Sequence, residues 1–179
     1  MLHVQVTIDL DEGHQKRLRA ISFRYAETAS APPAIEPPEL RKLIPLSEGE
    51  VYSRDQFQVG MEAVARAYFA RGFVEMTWNS EMQIDQADQT IAIIVDVNEG
   101  QQYTWGNIRM IGSTPKVEAL LKTKLRSGSP ANPKAIEDFY REHSSALPVG
   151  ASPKTVKWQY DREKATVDLT FDLRTSGAT

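Results

Sequence analysis

The strongest constraint on this fold is a segment that occurs more than once at a fixed spacing. Residues 91–98 are an apolar-rich strand pattern that leads into Glu99-Gly100, and residues 4–11 are a strand pattern of alternating apolar and polar residues before Glu12-Gly13. The starts of the two copies are 87 positions apart, and so are their Glu-Gly turns, so they align without a gap. A third, less regular copy spans residues 167–173. A strand-and-turn signal that recurs in this way predicts a tandem array of small units.

The residues between the first two copies predict a β-α-α-β-β unit. Pro37-Pro38 fits the first turn of a short helix that ends before Pro45. Ser53 is placed to cap a second helix over roughly 53–70, with Gln56 three residues later and apolar residues at helical spacing. Alternating residues predict strands over residues 21–25 and 73–78, with Met82 and Ile84 as candidates to extend the second, and an apolar-rich run predicts a strand over residues 90–98.

The residues after Gly100 repeat this plan less regularly. Strands are predicted over residues 103–110, 156–160 and 167–173, with helices around Leu120 and over 133–146. The turns between the helices align at a constant spacing of 79 positions, in the pairs Leu46 and Leu125, Gly49 and Gly128, and Ser53 and Asn132. The offset falls from 87 to 79 because the proline-rich loop 29–38 lengthens the first unit.

Composition narrows the class of protein. The chain has 179 residues, enough for two small domains, and 41% of them are hydrophobic, as in ordinary globular proteins. The net charge of -3 argues against nucleic acid as a partner, since such proteins carry a basic face. No apolar run is long enough for a membrane-spanning helix. Met1 leads directly into a strand pattern, which favours a fragment of a longer protein.

The residue types that catalysis or metal binding require are not grouped. His3, His14 and His143 are scattered without the spacing of metal ligands, and the chain has no cysteine. No nucleophile elbow, phosphate-binding loop or dinucleotide-binding glycine pattern is present. The acidic residues of the predicted hairpin turns are too few and too closely spaced for a calcium loop. We therefore expect a protein that is not an enzyme and that uses no metal and no cofactor.

Three features together resemble the POTRA (polypeptide-transport-associated) domain. One is Tyr68-Phe-Ala-Arg-Gly72-Phe73, which is similar to the family's Tyr-x-x-x-Gly-aromatic motif at the end of the second helix. Another is the β-α-α-β-β order of both units. The third is the junction between units, made of Val95-Asp-Val97, Glu99-Gly100, Tyr103, Gly106, Ile108, Met110 and Gly112. The resemblance covers residues 12–174.

The resemblance implies an α+β fold of tandem POTRA units, each with a three-stranded mixed sheet and two helices on one face. Residues 1–12 are then the last strand of a truncated preceding unit, 13–99 unit one, 100–175 unit two and 176–179 a tail. Unit two departs from the pattern, because Arg141 to Gly150 stands where Tyr-x-x-x-Gly is expected. Either unit two is a divergent POTRA domain, or its second helix is shortened and the following loop is longer.

The resemblance also implies a place and partners. POTRA domains belong to outer-membrane β-barrel assembly and secretion proteins, the BamA/TamA-like surface antigen family, and lie N-terminal to the barrel on the periplasmic side. Expected partners are unfolded outer-membrane or secreted polypeptides and periplasmic lipoproteins, with a C-terminal membrane β-barrel in the parent protein. The alternative is a rigid periplasmic spacer or interaction scaffold, as in division scaffolds or two-partner secretion, with no client binding of its own.

Client binding by β-augmentation needs an open sheet edge. The third strand of each unit is expected inside the sheet, which leaves residues 73–79 and 154–160 as candidate edges. Trp78 and Trp158 are either core residues or a surface for aromatic client residues. The candidate binding residues are Phe73, Val74, Glu75, Met76, Thr77, Trp78, Thr155, Val156, Lys157 and Trp158.

Two further regions are singled out. The orphan strand 4–10 has an apolar face to bury, so we expect it to pack on unit one or to pair with another molecule. The residues expected at the junction between the units, in packing or turn roles, are Glu99, Gly100, Tyr103, Trp105 and Gly106.

Overall fold

The computed structural model describes residues 15–25 and 32–174, and within them it contains two units of the same plan. Unit one consists of β1 (Arg17–Tyr25), α1 (Pro37–Lys42), α2 (Arg54–Phe69), β2 (Thr77–Asp85) and β3 (Thr90–Asn98). Unit two consists of β4 (Thr104–Ile111), α3 (Pro115–Lys124), α4 (Pro133–Glu142), β5 (Lys157–Asp161) and β6 (Thr166–Asp172). The predicted α+β class and β-α-α-β-β order are therefore confirmed. The orphan strand 4–10, His3, His14 and the tail lie outside the described residues.

Both sheets are mixed and have the third strand of the unit at their centre. The strand order is β1-β3-β2 in unit one and β4-β6-β5 in unit two. The first strand pairs with the central strand in parallel, and the second strand pairs with it antiparallel. The predicted central position of the third strand is confirmed, so each sheet has its first and second strands at the edges.

Of the four α-helices in the described residues, three begin on a side chain that accepts a backbone hydrogen bond. Ser53 accepts from the Gln56 N–H, as predicted, and Thr114 and Asn132 do the same at the starts of α3 and α4. Such caps satisfy N–H groups that have no partner within the helix. Among the described residues, no helix combines the length and apolar character that crossing a bilayer requires.

Each unit buries its own apolar core between sheet and helices. In unit one, Met61, Val64 and Tyr68 of α2 lie against Ile93 and Val95 of β3. In unit two, the core is centred on the larger side chains Trp105, Tyr103, Phe139, Phe171 and Leu121, all less than 3% exposed. Because each core is closed around its own sheet, each unit has its own source of hydrophobic stabilisation.

Several predicted boundaries are wrong. The strand expected over residues 21–25 begins earlier, at Arg17. The strand expected over 73–78 begins only at Thr77, and the preceding residues form turns. The helix expected over 133–146 ends at Glu142 and is followed by a 3-10 turn, Ser144–Ala146. The α4 helix has 10 residues where α2 has 16. The shortened helix with a longer following loop, one of the two alternatives for unit two, is therefore what the structure contains.

A close helix contact in unit one makes Gly60 a stability determinant. A Cβ atom at Gly60 would lie 2.8 Å from the Ile44 Cα, closer than the 3.0 Å that real contacts respect. We expect Gly60→Ala to lower the free energy of unfolding by about 1–2 kcal/mol, because overpacking outweighs the gain in helix propensity. Chemical denaturation measures this. The control is Val59→Ala on the same helix, at an exposed site, and an equal or smaller loss in Gly60→Ala than in the control would contradict the packing.

Candidate functional site

The first strand of each sheet is closed at its start by the loop between the two helices. In unit one, Leu18 N–H donates to the Glu50 carbonyl at 2.8 Å, and Gly49 N–H donates to the Leu18 carbonyl at 2.7 Å. In unit two, Trp105 exchanges the corresponding bonds with Ser129 and Gly128, again at 2.8 and 2.7 Å. These pairs follow the spacings of 87 and 79 seen in the sequence, so the repeat extends to individual hydrogen bonds.

The second strand of each sheet is the open edge. Among residues 15–25 and 32–174, no strand or bridge is paired with the far side of β2 or β5. In an antiparallel pair, alternate residues of an edge strand direct their N–H and C=O groups away from the neighbour. The nine residues of β2 and the five of β5 therefore offer backbone groups to a further strand, and β2 is the longer edge.

The two faces of β2 differ in polarity. Met82 and Ile84 pair with Ile93 and Ile91, which are buried under the helices, so all four side chains share the helix-facing side. Yet Met82 and Ile84 are 43% and 49% exposed, because the unit-one core covers only the start of the strand. The opposite face carries polar residues, namely Thr77, Asn79, Glu81, Gln83 and Asp85. An added strand with one apolar face would match this pattern.

The β5 edge carries aromatic side chains on its helix-facing side. Trp158 is half-buried, and its ring stacks on Tyr160 with centroids 6.4 Å apart and 19° between the planes. Trp158 also contacts the buried Trp105, and Tyr160 contacts Tyr103. Tyr160 is 43% exposed, so the outer part of this aromatic row is accessible.

The two units meet at a contact that we call the seam, formed by residues 71–75 after α2 and residues 101–103 and 160–162 of unit two. The Tyr103 N–H donates to the Gly72 carbonyl at 2.8 Å, and the Gln102 side-chain amide donates to the Arg71 carbonyl at 2.8 Å. Phe73 packs on the core of unit one, whereas its neighbour Val74 packs on that of unit two. The seam therefore ties the two cores together through adjacent residues.

Glu75 joins both parts of the seam through its two carboxylate oxygens. The Tyr103 hydroxyl donates to one oxygen at 2.8 Å, and the Arg162 guanidinium donates to the other at 2.8 Å. Arg162, and to a smaller extent Tyr103, hold the pKa of the Glu75 carboxyl below its ordinary value. Burial, followed by the hydrogen bond to Glu75, raises the pKa of the Tyr103 hydroxyl.

The sequence-predicted binding residues divide between these features. Thr77 and Trp78 lie on the β2 edge, and Lys157 and Trp158 lie on the β5 edge. The other six residues lie before the edge strands. Phe73, Val74 and Glu75 belong to the seam. Met76 and Val156 are buried, and Thr155 ends a 3-10 turn. The sequence indicates Met82 and Ile84 as an extension of the β2 strand, which the structure confirms, but they are not among the predicted binding residues.

The predicted junction residues also have separate positions. Tyr103 lies in the seam, and Gly100, just before the seam residues, has a positive φ of 68° and lies beside Glu75. Glu99 instead accepts a hydrogen bond from the Ala34 N–H. Trp105 is in the core of unit two, and Gly106 lies at an irregularity of β4 where Asp168 accepts from the Asn107 N–H. Such bulges are typical of edge strands that do not take a partner.

The lowered pKa of Glu75 makes the seam sensitive to acid. The ionised Glu75 carboxylate stabilises the folded state fully at a pH above the ordinary carboxyl pKa. This stabilisation is lost as the pH falls through the lowered pKa that Glu75 has in the folded state. We expect Glu75→Gln to unfold at lower denaturant concentration than wild type at pH 7. The difference should shrink as the pH falls below the ordinary carboxyl pKa and vanish once Glu75 is protonated in the folded state. The control is Glu62→Gln, which removes an exposed ion pair within α2 and should change stability little. A difference that grows in acid would contradict the assignment.

The described residues contain no group of three or more His, Asp or Glu side chains arranged to hold a metal ion. His143 ends α4 with its ring 5.2 Å from that of Phe139. The polar groups of the two edges and the seam are suited to strand pairing and to domain contacts.

Comparison with known proteins agrees with this architecture. Residues 33–100 match the family model of POTRA, the surface antigen variable number repeat. The structure of BamA POTRA3-5 from Haemophilus influenzae is 18% identical, with a TM-score of 0.69 over 93% of this chain and 68% of that one. The structure of BamA from Haemophilus ducreyi lacking POTRA domains 1-3 is 14% identical, with a TM-score of 0.64 over 89% of this chain and 29% of that one. Residues 33–100 therefore match the POTRA family, and the chain has the fold of a tandem pair of POTRA units.

Proposed function

We propose that this chain is a polypeptide-docking module on the periplasmic side of the bacterial outer membrane. The POTRA family match and the fold shared with BamA POTRA regions support this location and class. In the proposal the clients are unfolded outer-membrane or secreted polypeptides, periplasmic lipoproteins are partners, and a membrane β-barrel belongs to the parent protein. The chain binds and positions these clients without catalysing a reaction.

The observation that carries the proposal is the open β2 edge. It offers nine residues of backbone, and the exposed Met82 and Ile84 provide an apolar strip on one of its faces. A client strand added there forms main-chain hydrogen bonds that depend little on its sequence. Because β5 has only five residues, we expect it to bind such clients more weakly.

Amide NMR titration tests the docking of a client strand. A nine-residue peptide that alternates apolar and polar residues, as outer-membrane strands do, should shift the amides of Thr77–Asp85 first and those of Lys157–Asp161 at higher concentration. The control is the same peptide with alternate backbone nitrogens methylated, which removes the donors that face β2. Shifts confined to the seam, equal shifts with the methylated peptide, or no shifts at millimolar peptide would contradict the proposal.

The seam favours a second candidate function, a rigid spacer that sets the distance between neighbouring components. Backbone hydrogen bonds, the shared packing of residues 73–74 and the two contacts of Glu75 all oppose motion between the units. Residual dipolar couplings measure this directly, and a spacer predicts one common alignment for both units. A common alignment together with no peptide binding would favour the spacer over the docking module.

A further inference from the structure

The two open edges carry opposite charge. Residues 77–90, which form β2 and its turn, contain three acidic residues and no Lys or Arg. Residues 154–166, which surround β5 and its turn, contain four basic residues and two acidic ones. The acidic set is Glu81, Asp85 and Asp88, and the basic set is Lys154, Lys157, Arg162 and Lys164.

The acidic side chains of β2 would lie beside the side chains of an added strand, on the same face of the sheet. Glu81 and Asp85 are on the polar face of the strand, opposite to the face that exposes Met82 and Ile84. On one face of a sheet, side chains directly across from each other interact, and opposite charges in such pairs are favourable whereas like charges are not. A strand beside β2 would therefore meet apolar groups on one face and carboxylates on the other.

The contacts within unit one leave these carboxylates available. Glu81 accepts a hydrogen bond from the neutral Gln83 side-chain amide at 3.2 Å. It is 4.0 Å from Arg24, but Arg24 makes its closer, two-pronged contact with Asp96 at 2.5 and 2.9 Å. Asp85 accepts from the backbone N–H groups of Ala87 and Asp88, which organises the turn without supplying a positive charge. Asp88 is exposed.

The basic residues of unit two are partly neutralised by the protein itself. Arg162 pairs with Glu75 of the seam, and Lys164 pairs with Asp161 of the same turn. Within this basic set, Lys154 and Lys157 form no ion pair with the described residues, and both are exposed at the start of the β5 edge. This edge therefore disfavours the clients that the β2 edge favours.

We propose that the β2 edge selects extended polypeptide segments that alternate apolar residues with Lys or Arg. This inference rests on the proposed docking function and adds the chemistry of the preferred client. The apolar residues cover Met82 and Ile84, and the cations lie across from Glu81 and Asp85. Backbone pairing contributes affinity for every client strand, and the charged side chains make the affinity differ between clients.

Three matched peptides test the selection. Each has nine residues and the same apolar positions, with Lys, Gln or Glu at the alternate positions, and binding is followed by amide NMR of Thr77–Asp85. We expect the Lys peptide to bind about five- to tenfold more tightly than the Glu peptide, with the Gln peptide between them. In about 1 M salt, where screening acts within about 3 Å, the three affinities should converge.

A pair of triple variants separates the edge charges from the overall charge of the protein. The edge variant carries Glu81→Gln, Asp85→Asn and Asp88→Asn, and the new Asn at position 85 keeps an oxygen that can accept the turn hydrogen bonds. The control carries Glu48→Gln, Glu62→Gln and Glu137→Gln, the same change in charge at exposed sites outside β2. The preference for the Lys peptide should disappear in the edge variant and persist in the control.

The possible results distinguish this inference from the docking function on which it rests. Equal binding of all three peptides at β2 overturns charge selection and leaves docking intact. A Lys preference that survives in the edge variant also overturns it, because the attraction then comes from elsewhere. If none of the peptides binds at β2, both proposals are overturned. Self-association at low salt that buries β2, seen by sedimentation and by the same amides, would assign the edge to a second copy and overturn the client proposal.

Discussion

Gly72→Ala is expected to lower the free energy of unfolding by about 3 kcal/mol and to release the two units from their fixed orientation. Gly72 has a positive φ of 89°, and a Cβ atom there would lie closer than 3.0 Å to the Tyr103 carbonyl oxygen. The left-handed conformation costs a non-glycine residue roughly 1–2 kcal/mol, and the clash adds about 1–3 kcal/mol. Relief of the clash moves Tyr103 away from Gly72 and so breaks their hydrogen bond. Denaturation and residual dipolar couplings measure the two effects.

The chain offers a matched control for this change. Gly150 has nearly the same φ, 85°, but a Cβ atom there would have no atom within 4 Å. Gly150→Ala therefore carries the backbone strain without the clash, and we expect a loss of roughly 1–2 kcal/mol with the interdomain alignment unchanged. If the two variants were equally stable and equally aligned, the seam would not depend on the close approach of Tyr103.

Trp105→Ala is expected to lower the free energy of unfolding of unit two by about 3–5 kcal/mol. Trp105 is 2% exposed at the centre of the unit-two core, with its ring 5.6 Å from that of Trp158. A loss of this size is a large fraction of the stability of a small domain, so unit two should unfold under mild conditions. Because unit one has its own core, its amide signals should persist when those of unit two are lost.

Trp158→Ala is the control, since this ring is half-buried at the open edge. We expect a smaller loss, about 1–2 kcal/mol, from the reduced area that the ring removes from water. Equal losses in the two variants, measured by chemical denaturation, would contradict the placement of Trp105 inside and Trp158 at the edge of the core.

The repeat could be predicted from the sequence because it depends on local patterns of residues. Strand alternation, the Ser53 cap and the aligned Gly49 and Gly128 turns depend on neighbours in sequence. The same turns form matching hydrogen bonds to Leu18 and Trp105, so a constant spacing in sequence corresponds to a constant position in space. The strand order then follows, because the third strand of each unit can pair on both sides.

Tyr103 was predicted at the junction, but its partners in the seam could not be predicted because they are distant in sequence. Val74, Met76 and Trp78 alternate like one face of a strand, but Val74 packs on unit two and Met76 on unit one. Packing on two different cores thus produces the same alternation as a strand, and for this reason the strand was predicted to begin four residues too early. Glu75 meets Tyr103 and Arg162, which are 28 and 87 residues away, and no local pattern indicates such partners.

Amide hydrogen exchange tests whether β2 receives a client strand by backbone pairing. At a saturating concentration of the alternating Lys peptide, we expect slower exchange at every second amide of Thr77–Asp85, the set that faces away from β3. The amides of β3 should be unchanged. Uniform protection of both strands, protection limited to the seam, or unchanged exchange along β2 with peptide bound would contradict strand addition at this edge.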